Sequence, residues 1–331
     1  MNATRAGDRR KTSRAEASPE TIAAAAATLR AGGLVATPTE TVYGLAADAT
    51  SEAAVASIYA AKGRPAFNPL IAHVLGIEAA REHGALDADA ERLARAFWPG
   101  PLTLVVPVAP TCRVCLLARA GLDTLALRSP SDRTARALIE AAGRPLAAPS
   151  ANASGHVSPT TADHVLADLD GRIDWILDAG PSRCGVESTI VACLGEGPTL
   201  LRPGAVPREA IEAALGRPLA EAAPVDGRPN APGRLASHYA PRARLRLEAT
   251  AVGPDEAALD FAGALAGFAA FARLDLSPAG DLVEAAANLF AHLRALDRAG
   301  VATIAAAPVP ARGLGAAIND RLRRAAAPRG A

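Results

Sequence analysis

Residues 62–70 read Lys62-Gly63-Arg64-Pro65-Ala66-Phe67-Asn68-Pro69-Leu70 and separate a predicted helix at residues 52–61 from a predicted strand at residues 70–74. Lys11 and Lys62 are the two lysines among 35 lysine and arginine residues, so arginine carries nearly all of the positive charge. A lysine ammonium acts on phosphate as a point charge, whereas a planar guanidinium binds it through a fork of hydrogen bonds. Lys62 therefore indicates a nucleotide-phosphate site, with chance as the alternative.

The alternation of helix and strand continues on both sides of this stretch and predicts an α/β fold. Ser18 is the expected N-cap of a first helix, which Gly32-Gly33 ends. Further helices are predicted near residues 52–61, 87–97, 132–142 and 161–169, and strands at residues 34–37, 70–74, 102–108, 124–128, 146–148, 175–178, 188–193 and 199–202. Polar residues collect just beyond strand ends, where open α/β sheets bind ligands. We expect these loops to face one cleft.

The length of 331 residues predicts two domains. A region rich in proline and glycine, from about residue 216 to 242, is typical of a linker. We assign residues 1–17 to a disordered basic arm, 18–218 to a catalytic domain, 219–243 to the linker and 244–331 to a small α/β domain. In that last domain we predict strands at 245–248, 267–272 and 301–306, and helices from Asp255, at 281–299 and at 314–327.

Composition excludes several classes of protein. The net charge of +1 argues against binding nucleic acid or membrane by bulk charge. Cys112 and Cys115 have the C-x-x-C spacing, but no second such pair completes a zinc set, so we expect reduced thiols. The sequence has no apolar run long enough to span a membrane and no signal-peptide core, which predicts a cytoplasmic location. It also has no Walker loop, catalytic triad or dinucleotide fingerprint.

Two loops offer polar groups to a ligand. Residues 37–45 bring three hydroxyls, a carboxylate and a phenol to a strand end, with an ordinary turn as the alternative. Residues 148–155 leave backbone amides, two serine hydroxyls and the Asn152 amide free to meet a nucleotide. Arg128 and Arg202 end two strands and could bind a carboxylate and a phosphate, although either could be a surface residue. The residues alone predict a phosphate-handling α/β enzyme.

Taken together, these motifs resemble the YrdC-like threonylcarbamoyl-AMP synthases. The matching sequences are TETVYGL at 39–45, KGRP at 62–65, NPL at 68–70, SANASG at 150–155, ESTI at 187–190 and LRPG at 201–204. SHYAP at 237–241 and GLGAAINDRL at 313–322 look like the longer, two-domain members of the family. The resemblance implies a YrdC-like twisted mixed sheet with helices forming an open cleft, followed by a smaller Rossmann-like α/β C-terminal domain.

The resemblance also implies a reaction. L-threonine, bicarbonate or CO2, and ATP would give threonylcarbamoyl-adenylate and pyrophosphate, the first step of threonylcarbamoyladenosine modification of tRNA. A separate transferase complex would complete that modification, and direct tRNA binding by this chain is not expected. Magnesium would arrive on the ATP phosphates rather than in a site held by the protein.

Site residues follow from the same resemblance. Lys62 and Arg64 would hold the triphosphate and act as the catalytic pair. The rest of the ATP site would comprise Asn68, Thr124, Ser150, Asn152, Thr160, Arg202, His238 and Tyr239. Threonine would contact Thr41, His73, Arg128 and Ser188, with Arg128 as the partner of its carboxylate. The linker with His238 and Tyr239 would act as a lid that keeps water from a labile carbamate. For His73, a satisfied strand histidine is the alternative.

Two other functions compete with this interpretation. One is a non-catalytic RNA-binding or ribosome-associated factor that uses the same concave face, but the near-zero charge and the scarcity of aromatic residues, 3% of the chain, argue against it. The other is a carbamoyl-phosphate-using or hydrogenase-maturation relative. Such proteins usually carry zinc-type cysteine spacing in a longer chain, which this sequence lacks.

Overall fold

The computed structural model describes residues 11–195, 197–222 and 238–328. They form two α/β units, each with its own sheet. The strands of the first unit are β1 (Ser13–Glu16), β2 (Val35–Thr37), β3 (Gly44–Asp48), β4 (Ile71–His73), β5 (Leu102–Pro107), β6 (Thr124–Arg128), β7 (Leu146–Ala147), β8 (Trp175–Asp178), β9 (Thr189–Ala192), β10 (Thr199–Arg202) and β11 (Ala220–Glu221). Its helices are α1 (Pro19–Arg30), α2 (Glu52–Lys62), α3 (Gly76–Arg81), α4 (Ala88–Phe97), α5 (Arg133–Ala142), α6 (Ala162–Leu169) and α7 (Arg208–Leu215).

The first sheet is mixed, as the resemblance implied. Its strands lie in the order β1-β8-β2-β3-β7-β4-β6-β5-β9-β10-β11. β4 and β6 are parallel, β5 is antiparallel to β6, β9 is parallel to β5, and β10 is antiparallel to β9. This order brings the end of β6, the start of β9 and the end of β10 to one edge of the sheet. Three polar segments distant in sequence therefore meet there.

Helix α2 ends at Lys62, the first residue of the stretch 62–70 for which a phosphate site was predicted. Ser51 caps its first turn by accepting a hydrogen bond from the Ala54 amide. Gly63 ends it in the left-handed conformation, with φ of 60°, which glycine adopts without a steric penalty. The glycine turns the chain out of the helix at once, so Lys62 stays in the last buried turn while Arg64 enters the loop.

The second unit is smaller and contains a parallel sheet. Its elements are β12 (Arg244–Arg246), β13 (Ala257–Asp260), β14 (Ala272–Asp275), α8 (Leu282–Arg298), β15 (Thr303–Ala306) and α9 (Gly315–Ala326). The strands lie in the order β12-β15-β13-β14 and every recorded pair is parallel. This arrangement confirms the expected Rossmann-like architecture.

Two predictions within this unit were wrong. The helix expected from Asp255 is instead strand β13, and the strand expected at residues 267–272 begins only at Ala272. Residues 257–260 are rich in alanine and leucine, which favour helix locally. They form a strand because they are fully buried between two parallel neighbours, so tertiary pairing overrides local propensity.

The prediction of a disordered arm over residues 1–17 was wrong for residues 13–16. These residues form β1, an edge strand parallel to β8. Arg14 joins it to Asp178 at 2.7 Å and to Asp163 at 2.6 Å. A strand at the edge of a sheet needs backbone pairing more than an apolar face, so hydrophobic periodicity gave no signal. Residues 1–10, and residues 223–237 of the predicted linker, lie outside the described residues.

The sequence also led to expectations about membrane-spanning segments and about the cysteines. In the part of the chain that the structure describes, none of the helices is long and apolar enough to cross a membrane. Cys112, Cys115, Cys184 and Cys193 are free thiols, and burial raises the pKa of Cys193 to about 12. A buried thiol such as that of Cys193 is unreactive at neutral pH and serves as a small apolar side chain.

Candidate active site

A cavity of about 50 Å³ lies at the sheet edge where β6, β9 and β10 meet. Its lining comprises Thr41, Val42, Arg64, Leu70, Ile71, Arg128, Ala148, Pro149, Ser150, Glu187, Ser188, Arg202, His238 and Tyr239. The volume matches a few small atoms rather than a nucleotide, which indicates that the two linker side chains occupy part of the site in this conformation.

Lys62 lies beside the cavity in a buried position and is held by backbone oxygens. Its ammonium donates to the Ser150 carbonyl at 2.6 Å and to the Asn152 carbonyl at 2.5 Å. Burial lowers the pKa of Lys62 well below its ordinary value, and the charge of Arg64 lowers it further. A phosphate placed here would raise that pKa, so the site favours an anionic ligand.

Arg64 and Arg202 supply two further cations that contact carbonyls instead of carboxylates. Arg64 donates to the Pro69 carbonyl at 3.2 Å, and burial lowers its pKa to about 10. Arg202 donates to the Ser188 carbonyl at 2.8 Å and to the Ser188 hydroxyl at 3.2 Å. Because carbonyls do not neutralise them, these cations create a positive field at the cavity.

Gly204 allows the loop after β10 to approach the start of β9. A β-carbon added at this glycine would lie 2.4 Å from the Ser188 carbonyl carbon and the Thr189 nitrogen, and 2.5 Å from the Glu187 oxygen. No side chain fits in that space, which explains why glycine follows Arg202-Pro203. The contact fixes Arg202 against Ser188.

The opposite wall of the cavity carries a buried ion pair that the sequence did not predict. Arg128, the last residue of β6, lies 2.7 Å from the Glu40 carboxylate. His73 pairs with Arg128 in the sheet register, and burial together with the Arg128 charge lowers the His73 pKa well below its usual value. A neutral imidazole and a guanidinium therefore stand side by side, suitable for recognising an amino acid.

Hydroxyl groups complete that wall. The Thr41 hydroxyl lies 2.8 Å from the Thr39 hydroxyl, and the Ser188 hydroxyl lies 2.8 Å from the Thr103 hydroxyl. Each can act as donor or acceptor by rotation. They provide neutral hydrogen-bonding groups between the Arg128 and Arg202 cations.

His238 and Tyr239 cover the cavity. Tyr239 is 1% exposed, stacks on Phe290 at 5.5 Å and lies 5.4 Å from the Arg321 guanidinium carbon. Its φ of 64° is in the left-handed region, which is unfavourable for a side chain of this size. Burial, with the Arg64 charge, lowers the pKa of His238 to about 3, so this imidazole is neutral.

Buried polar atoms concentrate around the cavity and lack hydrogen-bond partners among the described residues. They are both amide atoms of Asn68, Nε2 of His73, Oδ1 of Asn152, Nε of Arg128, Nδ1 of His238 and Nη2 of Arg321. An unpaired buried polar atom costs about 1–3 kcal/mol, so such atoms are uncommon in native proteins. Their concentration at one place indicates a site that a polar ligand completes.

The cavity brings together most of the residues predicted for the site. Those lining it are Thr41, Arg64, Arg128, Ser150, Ser188, Arg202, His238 and Tyr239. Lys62 joins them through Ser150, and His73 lies beside Arg128 in the sheet.

Other predicted positions lie apart from the lining. Asn68 and Asn152 are buried near Arg64 and Lys62, respectively. The Thr160 hydroxyl is 3.3 Å from Nδ1 of His164. Thr124 opens β6, at the end of the strand opposite Arg128.

The sequence offered Glu40 and Glu187 as possible ligand contacts, gave Arg321 no role and paired none of the three with a partner. Glu40 pairs with Arg128, and Glu187 pairs with Arg321 at 2.8 Å. All three belong to the motifs quoted above, so the signal available was a carboxylate or guanidinium within a matching segment. Their pairing could not be read from the sequence.

The next feature is the arrangement of side chains that could bind a metal ion. In residues 11–195, 197–222 and 238–328, no group of three or more histidine, cysteine, aspartate or glutamate side chains could hold a metal ion. Glu40 and Glu187, the carboxylates nearest the cavity, are each engaged by arginine.

Comparisons with known proteins agree with this geometry. The family model described as telomere recombination matches residues 27–204, and the model of the threonylcarbamoyl-AMP synthase C-terminal domain matches residues 206–327. Threonylcarbamoyl-AMP synthases of Pyrococcus abyssi and Bacillus subtilis are 44% and 41% identical to the chain. The alignments cover 92% of the chain in both cases, and 93% and 92% of the respective relatives.

Solved structures are similar over nearly the whole chain. The crystal structure of P. abyssi Sua5 complexed with L-threonine has a TM-score of 0.86 at 40% identity, covering 96% of this chain and 97% of that one. A P. abyssi Sua5 variant with a histidine and a tyrosine replaced by alanine has a TM-score of 0.87 at 38% identity, covering 96% of each chain. The chain therefore belongs to the threonylcarbamoyl-AMP synthase family.

Proposed function

We propose that this chain is a nucleotidyltransferase that joins L-threonine, bicarbonate or CO2, and ATP into threonylcarbamoyl-adenylate, with release of pyrophosphate. The observation that carries the proposal is the cavity edge itself. Three cations contact carbonyls, an arginine lies beside a neutral histidine, and several buried polar atoms of the same region have no hydrogen-bond partner among the described residues. The product would pass to a separate transferase complex that modifies tRNA.

The ATP half of the proposed site lies around Lys62. Lys62, Arg64 and Arg202 would hold the triphosphate, because their side chains donate to carbonyl oxygens, which a phosphate can replace. Ser150, Asn152, Asn68 and Thr160 would contact the rest of the nucleotide, and His238 and Tyr239 would cover it. Thr124 is left out of this proposal, because it opens β6 at the end opposite Arg128. Magnesium would come with the ATP as part of the substrate.

The threonine half lies on the Arg128 wall. Arg128 would bind the α-carboxylate, and the buried Glu40 holds the guanidinium in place. Thr41, Ser188 and His73 would contact the remaining polar groups of the amino acid. The crystal structure of the P. abyssi relative complexed with L-threonine supports threonine as the substrate.

The proposed chemistry requires positioning and charge stabilisation. The threonine amine adds to CO2 and forms a carbamate, releasing a proton. A carbamate oxygen then attacks the α-phosphorus of ATP, the bond from that phosphorus to the bridging β-phosphate oxygen breaks, and pyrophosphate leaves. Lys62, Arg64 and Arg202 would stabilise the charge that accumulates on the phosphate oxygens. The buried cover would exclude water from the carbamate.

Threonine-dependent release of pyrophosphate tests the proposed function. With ATP, bicarbonate and magnesium, we expect the purified protein to release pyrophosphate with threonine and far less with serine, because serine lacks the methyl group that fills the site. A phosphate-coupled assay without amino acid serves as the control. Equal release without any amino acid would contradict the assignment and favour the non-catalytic alternative.

Replacing Tyr239 with alanine is expected to lower kcat by about tenfold, since the cover then admits water to the reacting groups. The variant should also release more free AMP per pyrophosphate, because water hydrolyses the adenylate to AMP. Tyr239→Phe is the matched control, because it keeps the ring that stacks on Phe290 and faces Arg321. Chromatography of the nucleotide products measures both effects, and unchanged product ratios would remove Tyr239 from the mechanism.

A further inference from the structure

Arg321 connects the second unit to the wall of the cavity. It lies in α9 and is 0% exposed. Its Nε donates to Glu187 at 2.8 Å, and its Nη1 donates to the Pro203 carbonyl at 2.7 Å and to Asp320 at 2.8 Å. The plane of the guanidinium faces the Tyr239 ring. The Arg321 side chain of the C-terminal unit thus contacts Glu187 before β9, Pro203 after β10, and Tyr239 of the cover.

Glu187 is the centre of this arrangement. Its second oxygen accepts a hydrogen bond from the Ser158 hydroxyl at 2.5 Å, and it directly precedes Ser188. Gly204 packs against the backbone of residues 187–189, so a shift of Glu187 moves Ser188 and Arg202 with it. Arg321 is therefore connected through Glu187 to Ser188 and Arg202, the two proposed substrate contacts.

We propose that Arg321 is a positioning residue through which the C-terminal unit holds Glu187, and with it Ser188, Arg202 and Tyr239, in the geometry that catalysis needs. The proposal rests on the proposed function for its activity measurements. It assigns the second unit a part in the reaction, since Arg321 itself lies outside the cavity lining and contacts no substrate.

The charges around Glu187 determine how the role of Arg321 can be measured. The titratable groups that face Glu187 are Arg321 and Asp320 from α9, Arg202 from β10, and His238 and Tyr239 from the cover. Burial alone would raise the pKa of Glu187, but Arg321 and Arg202 outweigh burial and hold this pKa below its ordinary value. Without the positive charge of Arg321, the effect of burial is opposed less strongly and the pKa of Glu187 rises. Protonated Glu187 would then accumulate as the pH falls.

The test is the pH profile of kcat/KM for threonine, in the full-length chain. The wild-type profile should lack an acidic limb from Glu187 near neutral pH. In Arg321→Met we expect kcat/KM about tenfold lower at pH 7, an acidic limb at least about one pH unit higher than in the wild type, and partial recovery at pH 9. Arg321→Lys should return the limb towards the wild-type position, because it restores the charge without the fork of hydrogen bonds. Arg321→Met combined with Glu187→Gln should abolish the shifted limb.

Two controls separate positioning from plain stability. Arg323→Ala removes an exposed arginine of the same helix and should leave the profile unchanged. Arg294→Met breaks a second buried ion pair between the units, with Asp168 at 3.0 Å, away from Glu187. It should lower the melting temperature without moving the acidic limb. If Arg321→Met lowers the melting temperature but leaves the limb in place, Arg321 is merely structural and the proposal is wrong.

Two further measurements keep the proposal falsifiable. If Arg321→Met does not fold, Glu187→Gln and Arg321→Lys decide: wild-type kcat/KM in both would overturn the proposal. Hydrogen exchange without substrates reports on the same contact independently of activity. Arg321→Lys should speed exchange in peptides covering residues 187–189 and 238–243, whereas unchanged exchange would also overturn the proposal. Absence of threonine-dependent turnover in the wild type would instead count against the proposed function.

Discussion

Replacing Lys62 with alanine is expected to lower kcat/KM for ATP by about 10²- to 10³-fold, the usual effect of removing a preorganised charge that stabilises a transition state. The ammonium is buried, held by the Ser150 and Asn152 carbonyls, and adjacent to Arg64. A water molecule that filled the space in Lys62→Ala would not supply the positive charge of the ammonium. Steady-state kinetics of pyrophosphate release with varied ATP measures the effect.

The same lysine should couple ATP binding to proton uptake. Burial lowers the pKa of Lys62, and the negative charge of a bound triphosphate would raise it again, with uptake of a proton. Calorimetric binding enthalpies should therefore depend on the ionisation enthalpy of the buffer, and this dependence should decrease in Lys62→Ala. Lys11→Ala is the matched control, because Lys11 is the other lysine and is exposed. Kinetics unchanged by Lys62→Ala would make the lysine incidental.

Arg128→Ala is expected to raise KM for threonine by about 10²-fold, through loss of a charge-assisted contact with the carboxylate. It should also lower the free energy of unfolding by about 3–5 kcal/mol, because Glu40 is left as an unpaired buried charge. KM for ATP should change little, since Arg128 lies on the opposite wall from Lys62. Threonine titrations and denaturant unfolding measure the two effects separately.

A double variant separates the two roles of Arg128. Adding Glu40→Gln to Arg128→Ala removes the unpaired charge and should restore most of the lost stability while threonine binding stays weak. Arg133→Ala, an exposed arginine at the start of α5, serves as the control for both measurements. Recovery of threonine affinity in the double variant would mean that Arg128 acts only on stability.

Much of the fold could be predicted because its signals are local. Ser18 with Pro19 marks the start of α1, and Gly63 marks the end of α2, as the caps in the structure confirm. Strand β1 and strand β13 could not be predicted in this way. β1 pairs with β8 through Trp175, and β13 lies between β14 and β15. Neither strand carries the periodicity of its own element.

The composition of the candidate site was predicted more fully than its internal connections. Lys62 was chosen as a rare lysine with Arg64 beside it, and Arg128 and Arg202 as cations at strand ends. The structure places all four beside one cavity. The carboxylate that pairs with Arg128 was not identified. Arginine is abundant in this chain, so the local sequence does not show which arginine forms an ion pair with which carboxylate.

By itself, the sequence determined the α/β class, the two-unit organisation and the motifs of the family, because hydrophobic periodicity, capping residues and short motifs are read along the chain. The tertiary structure decided which groups act together. Glu187 and Arg321 are 134 residues apart, and sheet order and domain packing bring them to 2.8 Å. Such long-range contacts depend on register and on the burial of whole units, which no local stretch encodes.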